Sequence, residues 1–313
     1  GDVGGTNARF ALQERADAPP SQIVAYRGAD FPTFEDAVSG YLSQLQGAQP
    51  VQGAIGIANP IAGDHVKMTN SNWSFSIEKV RRLAGLDRLL VINDFTALAL
   101  SLPGLEPRHV RQIGGGAADP AAAIGLIGPG TGLGVSGLLF VDGGRRLAPL
   151  AGEGGHVSLA PDNPREEAVV AALRAKFGHA SAERALSGPG LVNLYDALCA
   201  LDGVGARVLD PAAVSAEALR GEDPRCVEAV ELFFAFLGSV AGNLALTLGS
   251  RGGLYVGGGV APRLGGWIDR SGFRERFIAK GRFRDYLDQI PTFLIQAEVS
   301  PALIGAARAL DEL

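Results

Sequence analysis

Sulfur is scarce in this chain: its 313 residues include two cysteines, Cys199 and Cys226, and one methionine. Neither cysteine belongs to a Cys-x-x-Cys or Cys/His spacing, which excludes a structural zinc site and a disulfide framework. Each lies in an apolar, helical-looking stretch, as expected of buried reduced thiols in a cytoplasmic protein. Positive charge is also in deficit. Lys and Arg total 28 against 33 Asp and Glu, a formal net charge of −5, so no nucleic-acid or anionic-lipid partner is expected. No uninterrupted apolar run reaches the ~20 residues of a membrane span. The longest candidate, Val227 to Leu248, contains Glu228, Glu231 and Asn243 and reads as a core helix. No Gly-Lys-Ser or Gly-Lys-Thr occurs, which excludes a Walker phosphate loop.

What the chain has instead is apolar bulk and glycine. Hydrophobic residues make up 47%, enough to rule out a disordered protein and to fill two domain cores at this length. The 44 glycines gather in short clusters without collagen periodicity and read as tight backbone turns. The sequence opens on Gly1, and Asp2 already stands at a turn that normally follows a strand. The coding sequence is therefore expected to begin several residues earlier.

Along the chain, Gly4-Gly5-Thr6-Asn7 forms a turn before the strand Arg9 to Leu12, with another strand at Ile23 to Tyr26. Phe34, Ala37, Val38, Tyr41, Leu42 and Leu45 recur at helical spacing. Val51 to Ala58 and Leu89 to Ile92 are apolar strands of the kind buried in a parallel or mixed sheet. Between them, Ser76 is a plausible N-cap for a helix ending at Gly85. Asn93-Asp94 follows the second strand, ahead of a helix over Thr96 to Leu102. Pro103-Gly104 breaks the chain, and the loose stretch to Pro120 is a candidate hinge. The opening pattern then recurs: strand Ala123 to Ile127, glycine turn 128–132, strand Leu133 to Val141. Two copies of one unit suggest two similar lobes. Helices are expected at Pro164 to Gly178, 182–202, 211–220 and 224–248, and strands at Leu254 to Val256 and Thr292 to Ile295. A closing helix from Pro301 to Leu310 returns to the first lobe. The expected domains are 1–104, completed by 297–313, and 105–296.

Three glycine turns qualify as phosphate cradles, because backbone N–H groups approach an anion closely only where no Cβ intervenes. They are Gly4-Gly5-Thr6, Gly130-Thr131-Gly132 and Gly257-Gly258-Gly259; each is also readable as a plain turn. Gly132, Gly134 and Gly137 match a dinucleotide fingerprint, but a strand follows where that motif needs a helix. Asp2 is placed to hold Mg²⁺ through water, or to cap its turn. Asp94, at the end of a buried strand, opens onto the crevice where such sheets bind ligands, or caps the next helix. Asn93 beside it offers a donor and an acceptor. Glycines flanking Glu153 and His156 let both reach one point, although His156 also reads as a core histidine. Glu183 is a further acceptor or an ordinary helix-face charge. Asn70, Ser71, Asn72 and Trp73 face a sugar or form an anchored loop. Many acceptors, no Ser-His-Asp set and no metal cage suit a polyol. The late stretch Arg270 to Arg284 mixes basic, acidic and aromatic residues at helical spacing, as an amphipathic surface does.

These segments together resemble bacterial glucokinases of the non-ROK type, within the hexokinase–actin–heat-shock ATPase superfamily. The resemblance runs through GDVGGTNARFAL at 1–12, MTNSNWSFSI at 68–77, INDFTALAL at 92–100 and GPGTGLGV at 128–135. It continues with GEGGHVSLAP at 152–161, SAERALSGPGLVNLY at 181–195 and GNLALTLGSRGGLYVGGGVAPR at 242–263. It implies an α/β fold of two actin-like (ribonuclease H-like) lobes, each a mixed sheet with flanking helices, around a central cleft. The implied activity is ATP-dependent phosphorylation of glucose to glucose 6-phosphate. Position by position, it makes Asp94 the catalytic base and Asn93, Glu153, His156 and Glu183 glucose ligands, with Asn70 in the neighbouring polar run. Gly1, Asp2, Val3, Gly4, Gly5 and Thr6 correspond to the first phosphate segment; Gly130, Thr131 and Gly132 to the second; Gly257 and Gly258 to the adenosine segment. ATP, Mg²⁺ and a homodimer follow from the same resemblance. The alternatives are an actin- or chaperone-like ATPase with no sugar acceptor, and a kinase for another hexose. The cysteine-rich zinc motif of the related ROK kinases is missing.

Overall fold

The computed structural model describes every residue except 17, 48, 70, 298 and 299. The chain divides into two compact units. Unit 1 comprises Gly1–Glu106, Phe140–Ala151 and Ala297–Leu313; unit 2 comprises Pro107–Leu139 and Gly152–Gln296. Residues 140–151, which the sequence pattern assigned to the larger domain, belong to unit 1. There Glu312 Oε2 accepts the Leu147 N–H at 2.8 Å, a tie that no local pattern signals.

Unit 1 is built on strands β1 (Asp2–Val3), β2 (Asn7–Leu12), β3 (Ser21–Arg27) and β4 (Gln52–Ile57), a small hairpin β5 (His65–Lys67) and β6 (Ser74–Ser76), and β7 (Arg88–Asn93). The five-stranded sheet has the order β3-β2-β1-β4-β7. Strand β1 is antiparallel to β2 and parallel to β4, and β4 is parallel to β7. Helix α1 (Phe34–Leu42) starts in a capping box, Thr33 with Asp36, that satisfies otherwise orphaned N–H groups. Helix α2 (Ile77–Leu83) starts at the expected Ser76 cap but ends sooner than its glycine signal suggested. Helix α3 (Asp94–Ser101) follows β7 directly. The C-terminal helix Pro301–Glu312 completes unit 1: Arg308 Nη1 donates to Leu100 O at 3.1 Å, and Arg88 Nη1 donates to Leu310 O at 2.8 Å.

Unit 2 carries β8 (Val110–Gly114), β9 (Ile124–Pro129) and the start of β10 (Leu133–Val141). The chain then passes into unit 1, where β11 (Arg146–Gly152) lies almost entirely, and unit 2 resumes with β12 (Leu254–Val256) and β13 (Thr292–Ile295). Strand β9 is antiparallel to β10 and parallel to β12, which is parallel to β13. The strand pattern of unit 1 therefore recurs, as its repeated opening hairpin foretold. The expected loose stretch after Pro103 instead contains β8, an edge strand antiparallel to β13; its mixed Val-Arg-Gln-Ile pattern suits a half-exposed edge.

The core of unit 2 surrounds the helices α4 (Pro164–Phe177), α5 (Gly188–Leu201), α6 (Pro211–Arg220) and α7 (Pro224–Leu248). The helix expected over 182–202 is broken: a short 3-10 turn at Ala182–Arg184 precedes α5, whose start is set by the Ser187 cap and Pro189. Helix α7 is long and apolar enough to cross a membrane, but 72% of its most apolar window is buried within the protein, with Phe233, Phe234 and Phe236 fully enclosed. It is a core helix, as its interrupting charges implied. Both thiols are buried, and burial, reinforced by the Asp223 and Glu217 charges, pushes the Cys226 thiol up to about 12. The thiolate is the reactive form, which Cys226 does not reach at pH 8, and burial keeps a reagent from Cys199, so native protein is expected to react with a thiol reagent at neither. Denaturant should release both, and rapid labelling of the folded protein would contradict this packing.

Candidate active site

In unit 1, three parallel strands deliver their C-terminal ends in register: Val3 opposite Ile57, and Ile57 opposite Asn93. With strands about 4.8 Å apart, the first glycine turn and the Asn93-Asp94 pair lie about 10 Å from each other on one sheet edge. The turn itself is a hairpin connection. Gly4 N–H donates to Asn7 O at 2.9 Å, and Gly28 N–H donates to Thr6 O at 2.8 Å. Asp2 is 14% exposed, with one carboxylate oxygen 3.4 Å from the Arg9 guanidinium.

Asn93, not Asp94, caps α3. Its Oδ1 accepts from Phe95 N at 2.9 Å and Thr96 N at 3.2 Å, which gives the orphan N–H groups of the helix start a partner. The amide thus has only its Nδ2 hydrogens left for a ligand, where the sequence offered a donor and an acceptor. Asp94 is the first residue of the helix and half-buried, with Oδ1 accepting from Phe95 N at 2.9 Å. A carboxylate at that position sits in the favourable field of the helix N-terminus. Asn70 lies outside the described residues. Its neighbour Trp73 is buried against Phe34 and donates from Nε1 to Phe31 O at 3.1 Å, which makes it the anchor of its loop.

In unit 2, the parallel pair β9–β12 brings two further glycine turns together. Gly257 N–H donates to Ile127 O at 2.8 Å. Gly258 has φ +74°, and a Cβ there would run into the carbonyl of Pro129, so no other residue fits. The turn at 130–132 is closed by Gly130 N–H donating to Gly132 O at 2.8 Å, and Thr131 at its tip is exposed. Against the start of β10 lies the segment of Glu153 and His156: Gly154 packs on Val135 and Gly155 on Leu133. Glu153 and His156 are both exposed, so His156 is not a core histidine. His156 N–H donates to Glu153 O at 3.0 Å, which keeps the two residues in one short turn.

Glu183 belongs to this cluster rather than to a helix face. Its Oε2 accepts the Leu133 N–H at 3.0 Å, beside the second glycine turn. Gly188 N–H reaches the other side of that turn, donating to Gly130 O at 2.8 Å. Both contacts join residues fifty or more positions apart, and no local spacing announces them.

The Glucokinase family model matches residues 1–313. The chain belongs to the glucokinase family. It is 56% identical over 312 residues to the glucokinase of Chromobacterium violaceum, covering 100% of this chain and 88% of that protein. With the glucokinase of Aromatoleum aromaticum it shares 54% identity over 312 residues, 99% of this chain and 93% of that one. Its fold resembles the crystal structure of a glucokinase from an Antarctic psychrotroph, with TM-score 0.89, 36% identity, and 100% and 98% coverage. In this member of the glucokinase family, the basic stretch after Arg270 is engaged internally. Arg274 donates to Ile290 O and Asp288 O, Arg276 pairs with Glu166, and Arg284 forms a two-pronged bond with Glu275. That matches the amphipathic surface expected from its spacing.

Proposed function

We propose that this chain transfers the γ-phosphate of ATP to the 6-hydroxyl of glucose, giving glucose 6-phosphate and ADP. The observation that carries this reading is Asp94, a half-buried carboxylate at the end of a parallel strand and on the same sheet edge as a glycine turn. Asp94 accepts the hydroxyl proton as the oxygen attacks the γ-phosphorus in line with the departing ADP oxygen. Asn93 donates its free amide hydrogens to a sugar oxygen. Glu153, His156, Glu183 and Asn70 take the remaining hydroxyls. Backbone N–H groups of Gly5 and Thr6 in the first segment and of Thr131 and Gly132 in the second hold the phosphates, Gly1, Asp2, Val3, Gly4 and Gly130 shape those segments, and Gly257 and Gly258 border the adenosine. The family resemblance implies two lobes around a cleft, and closure of such a cleft excludes water as a competing acceptor.

Magnesium suits the same chemistry. Mg²⁺ keeps several waters and takes few protein ligands besides phosphate oxygens, and Asp2 offers a hard carboxylate at the head of the first turn. When bound, the ion neutralises phosphate charge. Buried reduced thiols accord with a cytoplasmic protein, and the family resemblance supports a homodimer.

A coupled ADP-release assay with glucose, mannose, fructose, N-acetylglucosamine and no sugar tests the reading. Release is expected to depend on glucose. Equal ADP release without sugar would replace this reading with a plain ATPase, and a preference for another hexose would reassign the acceptor.

A further inference from the structure

We infer that Glu183 is a positioning residue for the phosphate turn at 130–132, in addition to any contact it makes with sugar. This rests on the kinase reading only in taking that turn as a nucleotide-phosphate cradle. Three features of unit 2 point to it. The carboxylate accepts the Leu133 N–H at 3.0 Å, so one oxygen is committed to the backbone immediately after the turn. Glu183 Oε2 also lies 2.5 Å from where a Cβ on Gly132 would stand, so the glycine there makes room for this side chain. The backbone carrying Glu183 is itself fixed: Ser187 Oγ donates to Glu183 O at 2.9 Å and accepts from Gly190 N at 3.0 Å, while Gly188 N–H holds Gly130 O at 2.8 Å. Residues 183–188 therefore form a bracket that grips the turn from both sides, one side through a side chain and the other through the main chain.

A cradle works by presenting N–H groups already aimed at the anion, so loosening it weakens nucleotide binding before any sugar is present. A residue that touched sugar alone would have no such effect. The test is nucleotide affinity without sugar, measured by calorimetry with ADP for the wild type, Glu183→Gln and Glu183→Ala. The Gln variant keeps an oxygen for the Leu133 N–H and removes the negative charge near the phosphates; the Ala variant removes both. ADP is expected to bind Glu183→Ala roughly 5- to 20-fold more weakly than Glu183→Gln, the size of one hydrogen bond. Amide exchange in 130–135 should be faster in the Ala variant alone. Gly132→Ala, which pushes the carboxylate away, should weaken ADP binding too, and by a smaller factor once Glu183 is already Ala. Equal ADP affinities and equal exchange in the Gln and Ala variants would overturn the inference. Failure of the wild type to bind ADP would instead overturn the kinase reading.

Discussion

Asp94→Asn is expected to lower kcat by ~10²–10⁴-fold, the usual effect of removing a positioned general base, while the affinity for glucose changes little. The substitution keeps the shape of the side chain and an oxygen to accept the Phe95 N–H now bonded at 2.9 Å. Helix α3 keeps its cap, supplied by Asn93, and loses only the modest favourable charge at its first turn. Thermal stability should therefore be nearly unchanged, and the loss can be assigned to proton transfer rather than to a melted helix. Asn93→Ala provides the contrast: it removes the cap, costs about 1 kcal/mol of stability, and weakens glucose binding along with turnover. Steady-state kinetics, glucose calorimetry and a melting curve separate the two. An Asp94→Asn enzyme with near wild-type kcat would remove Asp94 from its role as base.

The second large effect concerns stability. Glu166 is 1% exposed and receives four donors: Asp162 N at 2.8 Å, Asn163 Nδ2 at 2.9 Å, and both terminal nitrogens of Arg276 at 2.5 and 3.1 Å. Arg276 in turn donates to Ser239 on α7 at 3.1 Å, so one ion pair joins α4, α7 and the helix Phe273–Ile278. Removing Glu166 leaves the Arg276 guanidinium with only Asp162, a largely exposed carboxylate 3.7 Å from its Nε, as counter-charge, and breaking a buried pair in this way destabilises by about 3–5 kcal/mol. Glu166→Ala should accordingly lower the melting temperature of unit 2 by roughly 6–20 °C. Adding Arg276→Met should recover much of that loss, since an apolar pair avoids the stranded charge. A Glu166→Ala fall below about 1 kcal/mol, or no recovery in the double variant, would show that water reaches this pair.

The sequence disclosed most where the physics is local. The apolar run Leu89 to Ile92 specified β7, and the Pro164 and Gly178 signals bounded α4 closely. The repeated strand-turn-strand opening announced the same strand pattern in both units because each glycine turn closes an antiparallel hairpin. Long-range partners were not legible. Nothing near Glu183 says that its carboxylate meets the Leu133 amide, and the role of Asn93 as cap was hidden beside an equally good candidate, Asp94. The passage of 140–151 into unit 1 rests on contacts such as Glu312 with Leu147, set by tertiary packing alone. The candidate residues themselves were readable by type, since carboxylates at strand ends and glycines at turns carry their chemistry in their identity. What the fold adds is which of their atoms are already engaged.

The interrupted path of unit 1 has a consequence for biosynthesis. Its first segment, Gly1–Glu106, ends shortly after α3, but the helix that packs on α3 is translated nearly two hundred residues later. At ~5–20 residues per second that is a wait of roughly 10–40 s on the ribosome. During it the surfaces of α3 and β4 destined for the final helix stay uncovered, whereas most of unit 2 has already emerged as one run. A chaperone that shields apolar nascent segments would find its longest-lived target in the Gly1–Glu106 segment of unit 1.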